Sequence, residues 1–363
     1  MSSNQFSGSI PTFLLLLPHI ERLNLSTNFL GGRIPINRSL NLSPSLKSLR
    51  FSQNNLSGRF SFTWLGNLTK LEEIDLSGNV NLAVDINIFG WTPPFQLKRL
   101  LLSGCDLDKN IIAEPHFLDT QRHLEVLDLS NNNLSGSMPN WLFTKEATLQ
   151  ELHLGNNSLT GSLDPIWHTQ SFLQVIKLHM NQVTGQLPVN ISLMFPNLVV
   201  LDVSHNIISG TIPPSLCHMS NLSVMDLSNN KFTGKVPSCL FTDCHSLDIL
   251  KLSNNNLGGT ILDRASNLSF LSEIYLDNNK FEGTLPRNLS GNVRVMDLHG
   301  NKMSGEVDIS LWNLTSLAAL SLARNSLTGD IHPEICELTS LQMLDLSDNY
   351  FLGLIPHCSS TLP

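Results

Sequence analysis

The sequence predicts an α/β solenoid, a chain of stacked repeats that shares one parallel β-sheet, and three observations predict it. A segment, Leu124 to Pro139 (LEVLDLSNNNLSGSMP), recurs in variant form from one end of the chain to the other. Within it, LEVLDLS alternates apolar and polar residues with a period of two, the signature of a short strand with one buried face. An asparagine follows each such strand with one exception, where Cys105 takes the place. Fixed-period self-similarity of this kind marks a stacked array rather than a globular core.

Taken by the first apolar residue of each strand, the repeats begin at Ile20, Leu46, Leu71, Leu97, Leu124, Leu149, Leu173, Leu198, Leu222, Leu247, Leu271, Val293, Leu317 and Leu341. The spacings run from 22 to 27 residues and are mostly 24 or 25. Residues 1–363 are therefore expected to form a single solenoid, with a partial repeat over 1–19 and fourteen repeats over 20–358. Met1 stands where a strand leucine belongs, so the chain is expected to start inside a repeat, without a cap. The units at Leu71 and Leu97 lose the N-x-L-x-G-x-I-P tail, and irregular loops are expected across 71–123.

Each part of the unit has a mechanical reason. Leu127 and Leu129 point inward while Val126, Asp128 and Ser130 point outward. One strand cannot bury such a face, but stacked coils join the strands over a continuous leucine core. The asparagines Asn28, Asn54, Asn79, Asn132, Asn157, Asn181, Asn206, Asn230, Asn255, Asn279, Asn301, Asn325 and Asn349 sit at the inward edge of the turn. An amide there must satisfy its donors and acceptor, which predicts a buried ladder bonded to the turn backbone of adjacent coils. The glycine of G-x-I-P suits a position that a Cβ would obstruct, and the proline favours extended geometry.

Composition excludes several classes. The chain carries 22 basic and 30 acidic residues, net charge −8, without a run of like charge. Nucleic acid is excluded as a partner, and so is contact of this segment with a membrane. No stretch of about 18 apolar residues is present, so none reads as a bilayer span. Phe13 to Leu17 (FLLLL) imitates a signal-peptide core but follows a Gly-x-Ile-Pro unit and lacks a basic flank, so it reads as the back of a coil. No nucleophile elbow, H-E-x-x-H pair, phosphate loop or dinucleotide fingerprint occurs, which points away from an enzyme. No cofactor is implied. No Cys or His group has the paired short spacing of structural zinc, so no metal site is expected.

The consensus L-x-x-L-x-L-x-x-N-x-L-x-G-x-I-P resembles the plant-type leucine-rich repeat over essentially the whole chain. Segments such as AEPHFLDTQRHLEVLDLSNNNLSGSMPNWLF, IPPSLC and VPSCLF are similar to the ectodomains of plant receptor-like proteins. The resemblance implies a right-handed superhelix with a parallel β-sheet on its concave face, and short strands, 3-10 turns and loops on the convex side. It further implies an extracellular, cell-surface location and ligand recognition in defence or development, with a protein, peptide or glycan as ligand and a co-receptor kinase as possible partner. Against that family, signal peptide, paired-cysteine cap, membrane helix and cytoplasmic tail are missing, so the chain reads as a slice of an ectodomain. Two alternatives stand beside this reading: a secreted inhibitor of pathogen cell-wall hydrolases such as polygalacturonases, and a truncated fragment that does not signal.

Of six cysteines, Cys217 and Cys336 each lie five residues before a strand start, and Cys239 and Cys358 each follow the G-x-V/I-P apolar residue by three. Coils about 4.7–4.9 Å apart suit a disulfide, which predicts Cys217–Cys239 and Cys336–Cys358. Pairing of Cys239 with Cys244 competes. Twelve N-x-S/T sequons occur, and many arise from the motif's own letters. Asn67, Asn267 and Asn313 share a column four residues before a strand start, and these are expected to carry glycans in a secretory pathway.

On the strand face the default outward pair is Asp then Ser, so departures are informative. They are His153, Lys177, His179, Met180 and His205, then Lys251, Glu273, Tyr275, Asp277, His299 and Arg324, with Arg50 and Glu73 earlier in the chain. Solvated, unconstrained surface accounts for many of these. The sharper expectation is a ligand contact, with Tyr275 as aromatic anchor and the cations engaging acidic groups. Histidine, with an ordinary pKa of about 6.5, would charge in an acidic extracellular space and favour an anionic ligand there. Binding that stays flat from about pH 5 to 7.5 excludes that last idea.

Overall fold

The structure, a computed structural model, describes residues 1–143, 148–163, 168–261, 267–287 and 289–358, with the side chains of Asn140 and Asn267 excepted. The chain groups into two compact units, Met1–Gly161 with Ile166–Gln182 and Ser162–Pro165 with Val183–Pro363. In each, every repeat makes one turn of a coil and returns to lay its strand parallel to the preceding one.

The first unit stacks Arg22–Asn24, Ser48–Arg50, Glu73–Asp75, Arg99–Leu101, Val126–Asp128, Glu151–His153 and Val175–Lys177, each paired in parallel with its neighbour. The second stacks Val200–Asp202, Val224–Asp226, Ile249–Lys251, Glu273–Tyr275, Val295–Asp297, Ala319–Ser321 and Met343–Asp345 in the same way. Strands are three residues long because the alternation is short. Ile274 is buried between half-buried Glu273 and Tyr275, and the leucines on either side, Leu271 and Leu276, turn into the core. Burying such a side chain contributes about 1.5–3 kcal/mol, and each coil supplies several.

A second parallel ladder follows the asparagines. In the first unit it runs through Ser7–Gly8, Phe29–Gly32, Asn55–Ser61, Asn81–Asp85 and Asp106–Leu107. Its longest rung pairs Ser57–Ser61 with Asn81–Asp85, inside the stretch expected to be irregular. The reason is that NLAVDI retains the period of two, and Leu82, Val84 and Ile86 are all buried. Departure from the template begins after Ile86, where turns replace the strand.

Short helices and 3-10 turns close the backs of the coils. Among them are Phe13–Leu16, Ile191–Met194 and Ile309–Trp312, with 3-10 turns at Pro214–His218 and Pro333–Glu337. Leu14 and Leu15 are buried in the first, so FLLLL does serve as the back of a coil.

The amide ladder is present, and its members donate to their own coil and to the preceding one. Asn132 donates to Leu129 O at 3.0 Å in its own coil and to Leu102 O at 2.9 Å in the preceding one, and its Oδ1 accepts from Cys105 N at 2.9 Å. Asn255, Asn279 and Asn325 repeat the two donations in the second unit, but their Oδ1 atoms accept from Phe232, Leu257 and Met303 N, each two residues past the preceding ladder asparagine. Several members, such as Asn54 and Asn157, are half-buried rather than buried. Cys105 keeps one bond of the set, its Sγ to Leu76 O at 3.3 Å. Burial pushes that thiol up to about 12, helped by the nearby carboxylates of Asp75, Asp128 and Asp106.

The structure contains the disulfides Cys217–Cys239 and Cys336–Cys358, with Cα separations of 5.8 and 5.4 Å. Cys244 is a buried free thiol, which removes the competing pair, and burial pushes it up to about 11.

Candidate functional site on the strand face

The residue before each ladder asparagine sits in the left-handed region, with φ of +59° at Asn131, +54° at Asn229 and +51° at Asn278. Asparagine and glycine tolerate this conformation, and a bulkier side chain is strained there. Met180, His205 and Arg324 nonetheless occupy it, at +54°, +52° and +52°. Their side chains project from the turn beside the sheet rather than from the strand itself. All three are exposed, and the Arg324 guanidinium meets the exposed Asp348 at 3.6 Å. Thr27, Gln53 and Asp348 hold the same turn position at +56°, +53° and +53°, so this conformation belongs to the repeat turn.

In the first unit, His153 and Lys177 are register partners on adjacent strands. His153 Nε2 lies 3.1 Å from Glu151 Oε2. His179 lies over Gly155, and a Cβ on that glycine would come within 2.5 Å of the imidazole. Gly155 therefore makes room for the ring, which explains why serine is absent from that turn. Earlier in the same unit Glu73 is gripped by Arg50 at 2.8 Å, Arg99 at 3.2 Å and Ser48 Oγ at 2.8 Å. Burial pushes the Glu73 carboxyl up, but Ser48 and the two guanidinium groups outweigh it and hold it below the ordinary range.

The second unit holds a denser group. Tyr275 is flanked in register by Lys251 on one side and Asp297 on the other. The Lys251 ammonium lies 5.3 Å from the centre of the Tyr275 ring, within cation–π range. The phenol donates to Glu273 Oε2 at 3.1 Å. Burial first, and then the carboxylates of Glu273 and Asp297, raise the Tyr275 pKa, so the phenol stays a donor. His299 Nδ1 lies 2.8 Å from Asp297 Oδ1, and its Nε2 lies 3.2 Å from the Asn278 amide.

One expected contact residue needs correction. Asp277 is only 8% exposed, and its carboxylate accepts from Ser253 Oγ and from Asn278 Nδ2. It orients Asn278, and through it His299, instead of facing a ligand. Asp277, Asp297 and His299 bring three donor atoms within 4.8 Å of one another, yet protein groups already engage each of them. Arg99, Glu151, Asn278 and Asp297 belong to these networks and were not singled out from the sequence. At Asp297 aspartate is the template residue, so the sequence carries no signal there.

Of the glycan column, Asn67 and Asn313 are exposed, and the Asn67 amide donates to Leu42 O at 3.2 Å. The side chain of Asn267 lies outside the described residues.

The family described as Leucine rich repeat matches at 196–257, and again at 123–144, 148–169, 270–292 and 340–362. The chain is built of leucine-rich repeats and is similar to the ectodomains of plant receptor-like proteins. Receptor-like protein 1 of Arabidopsis thaliana is 39% identical over 166 residues, 46% of this chain and 15% of that protein. Receptor-like protein EIX1 of Solanum lycopersicum is 36% identical over 167 residues, 45% of this chain and 16% of that protein. These alignments thus span about a sixth of the relatives' length.

Among solved structures, the Arabidopsis receptor kinase HAESA, in complex with the peptide hormone IDA and the co-receptor SERK1, aligns with a TM-score of 0.69 at 29% identity. That match covers 98% of this chain and 66% of HAESA's. PEPR1 with AtPEP1 aligns with a TM-score of 0.65 at 27% identity, over 98% of this chain and 59% of that one. Among the described residues no helix of this leucine-rich repeat chain is long and apolar enough to cross a membrane.

Proposed function

We propose that this chain is a non-catalytic recognition region of a plant receptor-like protein, acting outside the cell, and that it binds an extended peptide across the strands Ile249–Lys251, Glu273–Tyr275 and Val295–Asp297. The observation that carries the reading is the row Lys251, Tyr275, Asp297, which sets a cation, an aromatic ring and a carboxylate side by side on adjacent strands. Such a row meets a peptide's opposite charges and its apolar side chains together, and Tyr is favoured at the energetic centre of interfaces. The networks around Glu273 and Asn278 hold these groups in place before binding, which lowers the ordering cost. His205 and Arg324, in the same unit, extend recognition onto the turns. HAESA, similar to this chain in fold, was solved with a peptide hormone, which supports a peptide over a glycan. A co-receptor kinase is the second partner we infer, by the same comparison.

The test is a random-peptide display library panned on the purified 363-residue chain, with recovered peptides measured against variants. Lys251→Ala and Tyr275→Ala should each weaken binding about tenfold or more, while Asp128→Ala, at a template position of the other unit, should not change it. Peptides that bind the Tyr275→Ala variant as tightly as the parent would refute this placement.

A further inference from the structure

Residues 87–95 leave the repeat template, and the strand-face row Lys251, Tyr275, Asp297 does not involve them. They contribute three aromatic side chains, Phe89, Trp91 and Phe95, joined by Phe117 and Trp141 from the following coils. Two of the rings form a buried base. Trp91 stacks on buried Phe117 with planes 7° apart and centroids 6.1 Å apart, and it meets buried Phe95 edge-on at 6.2 Å. The Trp141 indole N–H donates to Ile112 O at 3.1 Å. Both indoles are thus fixed, yet both stay partly open to solvent.

Phe89 stands opposite in character. It is 86% exposed, and its ring meets His116 edge-on at 5.5 Å. An exposed phenylalanine forgoes about 1.5–3 kcal/mol of burial, and beside a cleft such exposure marks a contact surface. Phe89, Trp91 and Trp141 line a cleft of about 560 Å³ together with Thr92, His116 and Asp119, a volume in the range of small-ligand sites.

Charge selects the occupant. Among the described residues Asp119 is the one carboxylate lining the cleft, and no lysine or arginine lines it. A cationic group gains from Asp119 by ion pairing and from the indoles by cation–π attraction. Guanidinium is favoured over ammonium, because it is planar, weakly hydrated and stacks on aromatic faces.

We propose that the Phe89, Trp91, Trp141 and Asp119 cleft is a second binding site, which takes an arginine side chain of a peptide or protein partner. The stem lies against the rings and the guanidinium faces Asp119. This site belongs to the first unit and does not depend on the Tyr275 row, so either can fail without the other.

The experiment is calorimetric titration of the whole chain with acetyl-Ala-Ala-Arg-Ala-Ala-amide and with the same peptide carrying citrulline, the neutral isostere. The arginine peptide should bind about tenfold or more tighter, equivalent to about 1.4 kcal/mol. Asp119→Asn should remove most of that preference, and Phe89→Ala should weaken the arginine peptide about fivefold or more, in line with loss of an aromatic contact. Phe89 is a safe probe because its ring is exposed, and an unchanged melting temperature verifies both variants. Equal binding of the two peptides, no saturable binding up to about 10 mM, or variants indistinguishable from the parent overturns the proposal. Tighter binding of the neutral sugar cellohexaose than of the arginine peptide also overturns it, in favour of a glycan site.

Discussion

Replacing Asn79 by alanine should destabilise the first unit by roughly 2–6 kcal/mol, and the structure shows where the figure comes from. Asn79 is fully buried, at 0% exposure. Its amide donates to Phe51 O at 3.0 Å and Leu76 O at 2.8 Å, and its Oδ1 accepts from Leu56 N at 3.0 Å. The two carbonyls do not become orphans, because Phe51 O also accepts from Asn54 at 3.1 Å and Leu76 O from Cys105 Sγ at 3.3 Å. Each therefore loses one bond, about 0.5–1.5 kcal/mol. Leu56 N–H does become an orphan in the core, which costs about 1–3 kcal/mol more. Equilibrium urea unfolding measures the sum, and hydrogen exchange at Leu56 reads the orphaned group directly. Asn55→Ala, exposed and one residue from the Leu56 amide, is the control, expected within about 0.5 kcal/mol of the parent. Asn79→Cys should fall between the two, since Cys105 retains one such bond. If Asn79→Ala costs no more than Asn55→Ala, or if Leu56 exchange is unchanged, the ladder does not hold the coils together.

Further tests address other parts of the molecule. Cys217→Ser with Cys239→Ser releases a loop spanning 22 residues, which should lower stability by about 3 kcal/mol on the chain-entropy relation; an unchanged urea midpoint would refute it. Burial holds the Cys105 and Cys244 thiols near 12 and 11, so a thiol reagent at about pH 8 should react with neither in the folded chain. Without reductant it should titrate both in denaturant, and a rapidly reacting thiol in the native chain would contradict their burial. Glu73 has its folded pKa lowered, so its contribution is present above the unfolded value of about 4.3 and is lost as pH falls through the folded one. Glu73→Gln should flatten the acid limb of the stability profile, and parallel limbs would show that the two arginines do not stabilise it. Met180→Gly should raise stability by up to about 1 kcal/mol by relieving the positive φ, and a loss on thermal melting would show that the Met180 side chain holds the turn.

Much of this molecule was legible before any coordinates. Strand placement, the amide ladder and the two disulfides follow from the repeat, because a coil of nearly constant length brings residue n against residue n plus one period. Asn28 to Asn349 could be read as a column, and Cys217 with Cys239 as neighbours, without knowing a single torsion angle. The stretch beyond Leu71 shows the limit of template matching. Its G-x-I-P was gone, but Leu82, Val84 and Ile86 still alternated, and the second ladder ran through them to Asp106–Leu107.

The tertiary structure alone decided which outward side chains meet. Asp277 reads from the sequence as an exposed departure from the template, and the structure turns it to Ser253. Asp297 reads as template, and the structure places it against His299 and beside Tyr275. Glu73 gains its shifted carboxyl from three residues in the two flanking coils, and Trp91 is fixed by a ring 26 positions away in the sequence. A repeat encodes backbone register, because every coil must bury the same leucines. Outward rotamers are left free by that requirement, so their partners depend on what two or three separate coils present at once, and that is where recognition is built.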